Sequence, residues 1–365
     1  MRFIFIFGRN PELSRFELDS FFESRSFEYN IVTAGTRGVV VDFRKNIDTD
    51  LLVRELGGTL KICSVIESKD SLNLPDSKFK WGISVYEPDI SFSKVKEDFK
   101  QFFKKSGVKA MFYWPSRGGK GVQELTPTDI IKKKLFEIVV FKNFTGLTVS
   151  VFNPVLFEQR DLGRPNVDHS QVISIRLARI MLNFAGVKPG KNLIDPFCGA
   201  GTILQEALFI GANASGLDID LKMTKDADEN LRWFSEKYKT ASSWDVRSGD
   251  ARKLSSYFTS RNFDFIVTEP YLGPLLKKAP SFPEAQKIVS ELNVLYSKVF
   301  KEFLKVVKPG GKIVIVLPEF VTESNKVLAL NKDFIESDFE IIKALPYFEE
   351  RHKLKRVIYV LKPKF

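Results

Sequence analysis

The chain has 365 residues, of which 44% are hydrophobic and 28% are charged, and its formal net charge is +11. This composition is typical of a globular protein of two or three domains, at roughly 150 residues per domain, and excludes collagen-like and disordered proteins. Residues 1–7 are apolar except for Arg2, but this run is too short for a signal-peptide core or a membrane span. We therefore expect a cytoplasmic protein that does not use a membrane.

Cysteine and histidine are scarce, being limited to Cys63, Cys198, His169 and His352. A disulfide scaffold or a Cys/His zinc site needs more ligands than these, so we expect a reducing compartment and no metal. We assign His169 to hydrogen bonding in a linker and His352 to a basic loop before the last strand.

Short strands alternate with helices at the start of the chain, which predicts an α+β domain over residues 1–90. Leu13 and Phe16, for example, are spaced as neighbours on one helix face. The predicted elements are strands at 2–7, 39–43, 61–67 and 81–87, and helices from Pro11 to about Phe22 and at about 48–56.

Residues 91–155 are predicted to form a second, basic domain. Residues 90–142 contain twelve Lys and Arg against five Asp and Glu, a local surplus of +7. Helical lysines often form only a solvated face, whereas their clustering near Tyr113 and Trp114 favours a surface that follows phosphate groups, and both interpretations stay open. The predicted elements are an amphipathic helix from Ser93, a strand ending near Trp114, a helix at about 127–135 and strands at 136–142 and 147–153. The residues expected to contact nucleic acid are Lys104, Lys105, Arg117, Lys120, Lys132, Lys133 and Lys134.

Residues 156–170 are predicted to be a linker, because Pro154, Gly163 and Pro165 interrupt any periodic pattern. From 171 to 365 a pattern of strand, turn and helix repeats, which predicts a doubly wound α/β domain with a parallel sheet. Its predicted elements are helices at about 170–185, 222–236 and 284–306, another helix over ILQEALFIGA, and strands at NLID, ASGLDID, 244–247, FDFIVTEP, KIVIVLP and RVIYVLK.

Ligands of a doubly wound sheet bind beyond the carboxyl ends of its strands, where the segment DPFCGAGT, residues 195–202, forms a strand end, a glycine turn and a helix start. The glycines serve either a ligand that approaches the backbone or tight packing of strand on helix. Leu204 stands where a dinucleotide fingerprint has its third glycine, and Asp195 would repel a pyrophosphate. A cationic nucleoside such as S-adenosylmethionine fits this turn better.

Three further motifs follow neighbouring strands. Asp218 can accept both hydroxyls of a ribose, and Asp250 can accept from an adenine amino group or can cap a helix. Phe197 covers the ligand or belongs to the core. Thr268–Gly273 places an aromatic side chain after a proline, where it stacks on a planar base or forms an ordinary turn.

These motifs resemble a known family. DPFCGAGTILQEA, GLDID and a proline-tyrosine motif after the fourth strand resemble the amino-methyltransferase branch of the Rossmann-like S-adenosylmethionine-dependent enzymes. RDLGRP, followed by a helix that ends in LARIMLNFAG, is similar to the junction in THUMP-domain tRNA guanine-N2 methyltransferases. The resemblance implies an N-terminal ferredoxin-like domain and a THUMP domain that grip tRNA, in front of a Rossmann-like methyltransferase domain.

The resemblance also implies a role for each motif residue. The cofactor-binding residues would be Asp195, Phe197, Gly199, Gly201 and Thr202 at the methionine end, Asp218 at the ribose and Asp250 at the adenine. The catalytic residues that hold the target base would be Thr268, Glu269, Pro270 and Tyr271.

The chain departs from the family pattern at two places. The family has Asp or Asn, then Pro-Pro and an aromatic residue, and its oxygen accepts a hydrogen bond from the exocyclic amine, whereas this chain has Thr268 and Glu269 before Pro270. Either Glu269 turns inward as the acceptor or activity is lowered or redirected. The junction helix has SQVISIRLARI where relatives have a Pro-Pro-Lys run.

The leading hypothesis is direct methyl transfer from S-adenosylmethionine to the N2 amine of a tRNA guanosine, such as the one at position 10 or 6. The base would leave its stem and stack on Tyr271 or Phe197. The alternatives are a tRNA-binding protein with a degenerate methyltransferase domain and a DNA amino-methyltransferase. Whether a partner protein is needed, and whether one or two methyl groups are added, stays open.

Overall fold

The computed structural model describes residues 1–114, 124–167, 173–347 and 354–365. These residues form two compact units. The N-terminal unit comprises Met1–Leu18 and Ser26–Glu158, and the C-terminal unit comprises Asp19–Arg25 and Gln159–Phe365. The predictions for Arg117, Lys120, His169 and His352 lie outside the described residues.

The N-terminal unit is built on one mixed sheet with the strand order β2-β3-β1-β4-β8-β7-β5-β6. Its elements are β1 (Arg2–Phe7), α1 (Pro11–Ser24), β2 (Tyr29–Gly35), β3 (Gly38–Phe43), α2 (Thr49–Glu55), β4 (Thr59–Val65), β5 (Phe79–Val85), α3 (Phe92–Lys105), β6 (Ala110–Phe112), α4 (Pro127–Lys133), β7 (Phe136–Phe141) and β8 (Phe144–Val151). The sheet takes strands from both sides of residue 90, and the predicted division into 1–90 and 91–155 stays a prediction.

One polar network is buried inside the N-terminal sheet. Lys61 and Glu137 are fully buried, and Lys61 Nζ lies 2.7 Å from Glu137 Oε1. Thr148 Oγ1 donates to the other carboxylate oxygen, Oε2, at 2.5 Å. A buried charge is tolerated only with a partner, so the two residues hold β4 and β7 in one register with the strand β8 between them.

The C-terminal unit contains the predicted doubly wound sheet, in the order β11-β10-β9-β12-β13-β16-β15. The elements in this part of the chain are α5 (Pro154–Leu162), α6 (Ile175–Ala185), β9 (Asn192–Asp195), α7 (Thr202–Ile210), β10 (Asn213–Asp218), α8 (Leu221–Tyr238), β11 (Trp244–Ser248), β12 (Phe263–Thr268), α9 (Phe282–Val306), β13 (Val307–Val321), β14 (Val327–Ala329), α10 (Asp333–Glu336), β15 (Phe339–Tyr347) and β16 (Leu354–Pro363). The sequence boundaries of the two units fall within α1 and α5. The strands from β11 to β13 pair in parallel, and β16 pairs antiparallel with β13 and β15. The predicted α/β fold class is confirmed.

The prediction that Pro154 interrupts regular secondary structure was wrong. Pro154 is the first residue of α5, a position where proline is tolerated because its missing N–H would have no partner inside the helix. The predicted linker 156–170 therefore begins within a helix. Within the linker, Arg164 is buried and Nη1 donates to Thr202 Oγ1 at 2.7 Å.

A buried ion cluster fixes α7 against the two helices that precede it. Glu206 on α7 accepts from Arg160 Nε of α5 at 3.1 Å and from Arg179 Nε of α6 at 3.0 Å. The two arginines hold the pKa of Glu206 below its usual range despite burial, which by itself raises it. The helix α7, which follows the glycine turn, is therefore anchored to both preceding helices.

None of the helices in the described parts of the chain is long and apolar enough to span a membrane.

Candidate active site

A cleft lies where the strands β9 and β12 end, as the order of a doubly wound sheet requires. It brings together five of the predicted site residues. The residues that line it are Ile173, Asp195, Phe197, Cys198, Gly199, Ala200, Thr202, Ile203 and Glu269. Ile173, Cys198, Ala200 and Ile203 were not predicted, and the only signal for them was their position beside a predicted motif.

Asp195 is the last residue of β9 and is 2% exposed. Its Oδ1 accepts the hydroxyl hydrogen of Thr268 at 2.6 Å and the backbone N–H of Phe197 at 3.1 Å. Burial raises the pKa of Asp195 to about 7; these hydrogen bonds oppose the shift, and the charges of Asp218 and Glu269 add to it. A cation bound in the cleft would stabilise the ionised carboxylate.

The two glycines of the turn have different reasons to be glycine. Gly201 has φ of 85°, and a Cβ there would lie 3.2 Å from Cβ of Ala227 on α8. Gly199 has φ of 49°, and a Cβ there would meet no protein atom within 4 Å. Tight packing therefore explains Gly201, whereas Gly199 keeps an open part of the cleft free of a side chain.

Asp218 ends β10, and backbone N–H groups hold both of its carboxylate oxygens. Gly199 N donates to Oδ2 at 2.9 Å, and Asp220 N donates to Oδ1 at 3.0 Å. Each oxygen keeps a second lone pair with which it can accept from a ligand hydroxyl. The neighbouring Ile219 is 73% exposed. Sequence reasoning missed Ile219, although an apolar residue between two aspartates directly after a strand was a usable signal.

Asp250 is the N-cap residue of a short 3-10 helix, Ala251–Ser256, and capping was one of its two predicted alternatives. Its Oδ1 accepts from Arg252 N at 2.9 Å, and Oδ2 accepts from Arg252 Nη2 at 2.6 Å. Hydrogen bonds from Arg252 hold its pKa below the usual range. The capping contact is observed, and acceptance from an adenine amino group stays a prediction.

The segment Thr268–Tyr271 places one side chain inside the protein and another in solvent. Thr268 is fully buried and its hydroxyl hydrogen bonds Asp195. Tyr271 is 56% exposed, while its backbone oxygen accepts from the hydroxyl of the buried Tyr296 at 2.8 Å. An exposed ring on an anchored backbone can stack on a base at low entropic cost.

Glu269 lines the cleft and forms an ion pair with Arg356 of β16. Arg356 Nη1 lies 3.1 Å from Glu269 Oε1, and the two side chains are 13% and 12% exposed. Sequence reasoning missed Arg356. Local sequence does not single it out, because several basic residues precede the apolar run VIYV.

The predicted nucleic-acid contacts within the described residues lie on the N-terminal unit. Lys104 and Lys105 are exposed on the last turn of α3, and Lys132–134 are exposed at the end of α4. Trp114 is 57% exposed, and Lys96 Nζ lies 4.2 Å from the centroid of its ring. Lysines at helix C-termini also interact favourably with the helix dipole, which explains their position without nucleic acid. Their contact with nucleic acid therefore stays a prediction.

Comparisons with known proteins agree with this geometry. Residues 163–331 match the family UPF0020, described as "RMKL-like, methyltransferase domain". The chain is 26% identical over 321 residues to a tRNA (guanine(10)-N2)-dimethyltransferase of Methanothermobacter thermautotrophicus, covering 86% of this chain and 87% of the relative. A protein of the same description from Methanocaldococcus jannaschii is 29% identical over 220 residues, 58% of this chain and 56% of the relative.

Among solved structures, TrmN from Thermus thermophilus matches over 100% of both chains, with a TM-score of 0.56 and 17% sequence identity. At that identity the likeness shows a common fold. The matched methyltransferase domain contains the glycine turn, Asp218 and the segment Thr268–Tyr271. The chain is thus similar, over most of its length, to tRNA guanine-N2 methyltransferases, and its residues 163–331 match a methyltransferase domain.

Proposed function

We propose that this protein transfers a methyl group from S-adenosylmethionine to the N2 amine of guanosine 10 in tRNA. The observation that carries the proposal is the cleft that is lined by Asp195, Glu269 and the open glycine turn at Gly199. The similarity to a methyltransferase domain supports the chemistry, and the names of the relatives supply the nucleotide position. The substrate tRNA would place the reaction in the cytoplasm.

The residues of the cleft fit S-adenosylmethionine. Asp195 offers a carboxylate to the cationic methionine end, and the space beside Gly199 is free of side chains. Asp218 holds acceptor oxygens for the ribose hydroxyls, and the exposed face of Ile219 suits an adenine ring. When bound, this cofactor supplies an electrophilic methyl group. Phosphate-bearing cofactors fit less well, because two carboxylates lie at this end of the cleft.

Tyr271 and Glu269 would hold the target base. The exposed ring of Tyr271 stacks on the flipped guanine, and the carboxylate of Glu269 accepts a hydrogen bond from the N2 amine. This contact keeps the nitrogen lone pair directed at the methyl group, and the negative charge stabilises the amine while it becomes cationic. The product amine then releases a proton. Thr268 acts indirectly, by fixing Asp195 through its hydroxyl.

The N-terminal unit would bind the tRNA through the lysines at the ends of α3 and α4. Their exposure and the local surplus of +7 support an electrostatic contact with the phosphate backbone. The ferredoxin-like and THUMP domains, with their division near residue 90, are part of this proposal.

The test is methylation of an unmodified tRNA transcript by purified protein and labelled S-adenosylmethionine, followed by mass spectrometry of the nucleosides. We expect N2-methylguanosine or its dimethylated form, and no label in a transcript whose guanosine 10 is replaced by adenosine. Label in the replaced transcript would show another position. Binding of tRNA without transfer would instead support the non-catalytic alternative, which predicts that Thr268→Asp combined with Glu269→Pro restores transfer.

A further inference from the structure

Glu269 stands where the family pattern has proline, and its partner Arg356 comes from a strand 87 residues later in the chain. Thr268 ends β12, β12 pairs with β13, and β13 pairs with β16, on which Arg356 lies opposite Pro318. Strands one removed from each other lie about 9.5 Å apart. Two long side chains are needed to close that distance, and glutamate with arginine provides them.

Other carboxylates lie at the same edge of the sheet as Glu269. Asp195 and Asp218 are the last residues of the neighbouring parallel strands β9 and β10. The charge of Glu269 acts on Asp195 and on the buried Tyr296. A third carboxylate at 12% exposure is costly unless a cation compensates it. Arg356 supplies that charge, and its own 13% exposure argues against a contact with an RNA phosphate.

We propose that Arg356 is a positioning residue of the transfer site. It supplies the counter-charge of Glu269 and lies 3.1 Å from its Oε1, so that the carboxylate is presented to the cleft as the hydrogen-bond acceptor for the guanine amine. The family pattern gives that task to an Asp or Asn one residue earlier, where this chain has Thr268. The inference rests on the proposed function and deepens it, because it assigns the acceptor to a glutamate that depends on a distant arginine.

A double-mutant cycle tests the dependence of one residue on the other. We would compare wild type, Glu269→Gln, Arg356→Met and the double variant by methylation of the tRNA transcript, under single-turnover conditions for the transfer rate and under steady-state conditions for KM. Arg356→Met should lower the transfer rate about 10- to 100-fold with KM for tRNA within about threefold of wild type, as expected for lost electrostatic positioning. In the Glu269→Gln background the same change should alter the rate less than about threefold. Arg356→Lys should recover part of the lost rate, because it keeps the charge.

Two results would overturn the role of Arg356. One is an equal loss in both backgrounds, which means that Arg356 acts without Glu269. The other is a rise in KM for tRNA with the rate unchanged, which means a direct contact with RNA. Lys308→Met is the matched control, since Lys308 pairs with Asp264 at 3.0 Å at the opposite end of β12 and its loss should leave the rate unchanged.

Folding of each variant is checked by circular dichroism and by binding of S-adenosylhomocysteine. If Arg356→Met does not fold, Arg356→Gln gives the same comparison in both backgrounds. A wild-type protein that transfers no methyl group overturns the proposed function and the role of Arg356 with it. An active wild type with additive variants overturns the role of Arg356 alone.

Discussion

Thr268 Oγ1 donates a hydrogen bond of 2.6 Å to Asp195 Oδ1, which joins the carboxyl ends of the neighbouring strands β12 and β9. The backbone N–H of Phe197 donates to the same oxygen, so Oδ2 receives neither bond. The hydroxyl hydrogen of Thr268 is thus used to orient Asp195. In the segment that we propose holds the target base, Glu269 is the carboxylate that lines the cleft.

The first prediction concerns the pH dependence of cofactor binding. The pKa of Asp195 is raised to about 7, so the carboxyl is protonated below that pH in the free protein. Affinity for S-adenosylmethionine should therefore rise between pH 6 and pH 8, by at most about tenfold per pH unit, because the cation favours ionised Asp195. Isothermal titration calorimetry at pH 6, 7 and 8 measures this.

Asp195→Asn is the control for that measurement. It should bind the cofactor about tenfold more weakly at pH 8, since a charge-assisted contact becomes a neutral one, and it should lose the rise between pH 6 and pH 8. If the variant keeps the same pH dependence as wild type, another group causes it.

The second prediction concerns stability without ligand. The folded pKa of Asp195, about 7, lies above the unfolded value of 3.8, so the folded protein binds this proton more tightly. The contribution of Asp195 to the free energy of unfolding should fall as pH rises from about 4 to 7, and stay constant above. Asp195→Asn keeps an acceptor for Thr268 and Phe197, and should be more stable than wild type at pH 8 by roughly 2 to 4 kcal/mol and about equal at pH 4. Chemical denaturation at both pH values checks this, and an equal difference at both would contradict it.

The third prediction separates a glycine that is needed only for its positive φ from one that also leaves room for a ligand. Gly199 and Gly190 have φ of 49° and 73°, and a Cβ at either meets no protein atom within 4 Å. Alanine at either position should cost about 1 to 2 kcal/mol of folding free energy, because L-residues disfavour this conformation. Only Gly199→Ala should also weaken cofactor binding, since Gly199 lines the cleft. Thermal denaturation measures the stability of both variants, and calorimetry measures their affinity for the cofactor. If Gly199→Ala and Gly190→Ala bind the cofactor equally well, no ligand atom approaches Gly199.

The fourth prediction concerns stacking by Tyr271. Tyr271→Ala should lower kcat/KM for tRNA about 5- to 150-fold, because stacking of one base on an aromatic ring is worth about 1 to 3 kcal/mol. Tyr271→Phe should stay close to wild type, since it keeps the ring and the backbone oxygen that Tyr296 bonds. Cofactor affinity should not change in either variant. A loss in the phenylalanine variant as large as in the alanine variant would assign the effect to the hydroxyl.

The fifth prediction concerns the basic surface of the N-terminal unit. Replacing Lys104, Lys105, Lys132 and Lys133 by Gln should weaken tRNA binding and reduce the slope of log K against log salt by about one for each lost phosphate contact. The matched control replaces four exposed lysines around α8, namely Lys222, Lys225, Lys237 and Lys239. If both sets reduce the slope equally, the effect comes from net charge and not from this surface.

Much of the C-terminal unit could be predicted because one rule connects its pattern to its site. Alternating strands and helices indicate a parallel sheet, and the carboxyl ends of parallel strands meet at one edge. Residues directly after predicted strands, such as Asp195 and Asp218, therefore had to lie near one another. Local sequence was enough, because each motif carries its own strand end and turn.

The elements that were missed depend on contacts that local sequence does not contain. β2 and β15 lie at the edges of their sheets, and β2 alternates half-buried with exposed positions, so neither shows the apolar run of a central strand. Arg356 could not be assigned to the site, because its pairing with Glu269 depends on the position of β16 beside β13.

The position of β16 in the sheet also determines when the sheet can be completed during synthesis of the chain. β16 lies between β13 and β15 in the sheet, although the ribosome synthesises it after both. Until it inserts, the facing edges of β13 and β15 present backbone groups that can pair with other chains. Glu269 gains the counter-charge of Arg356 only at that moment. A nascent chain that stops before residue 354 therefore leaves these strand edges open to aggregation and lacks the arginine that pairs with Glu269.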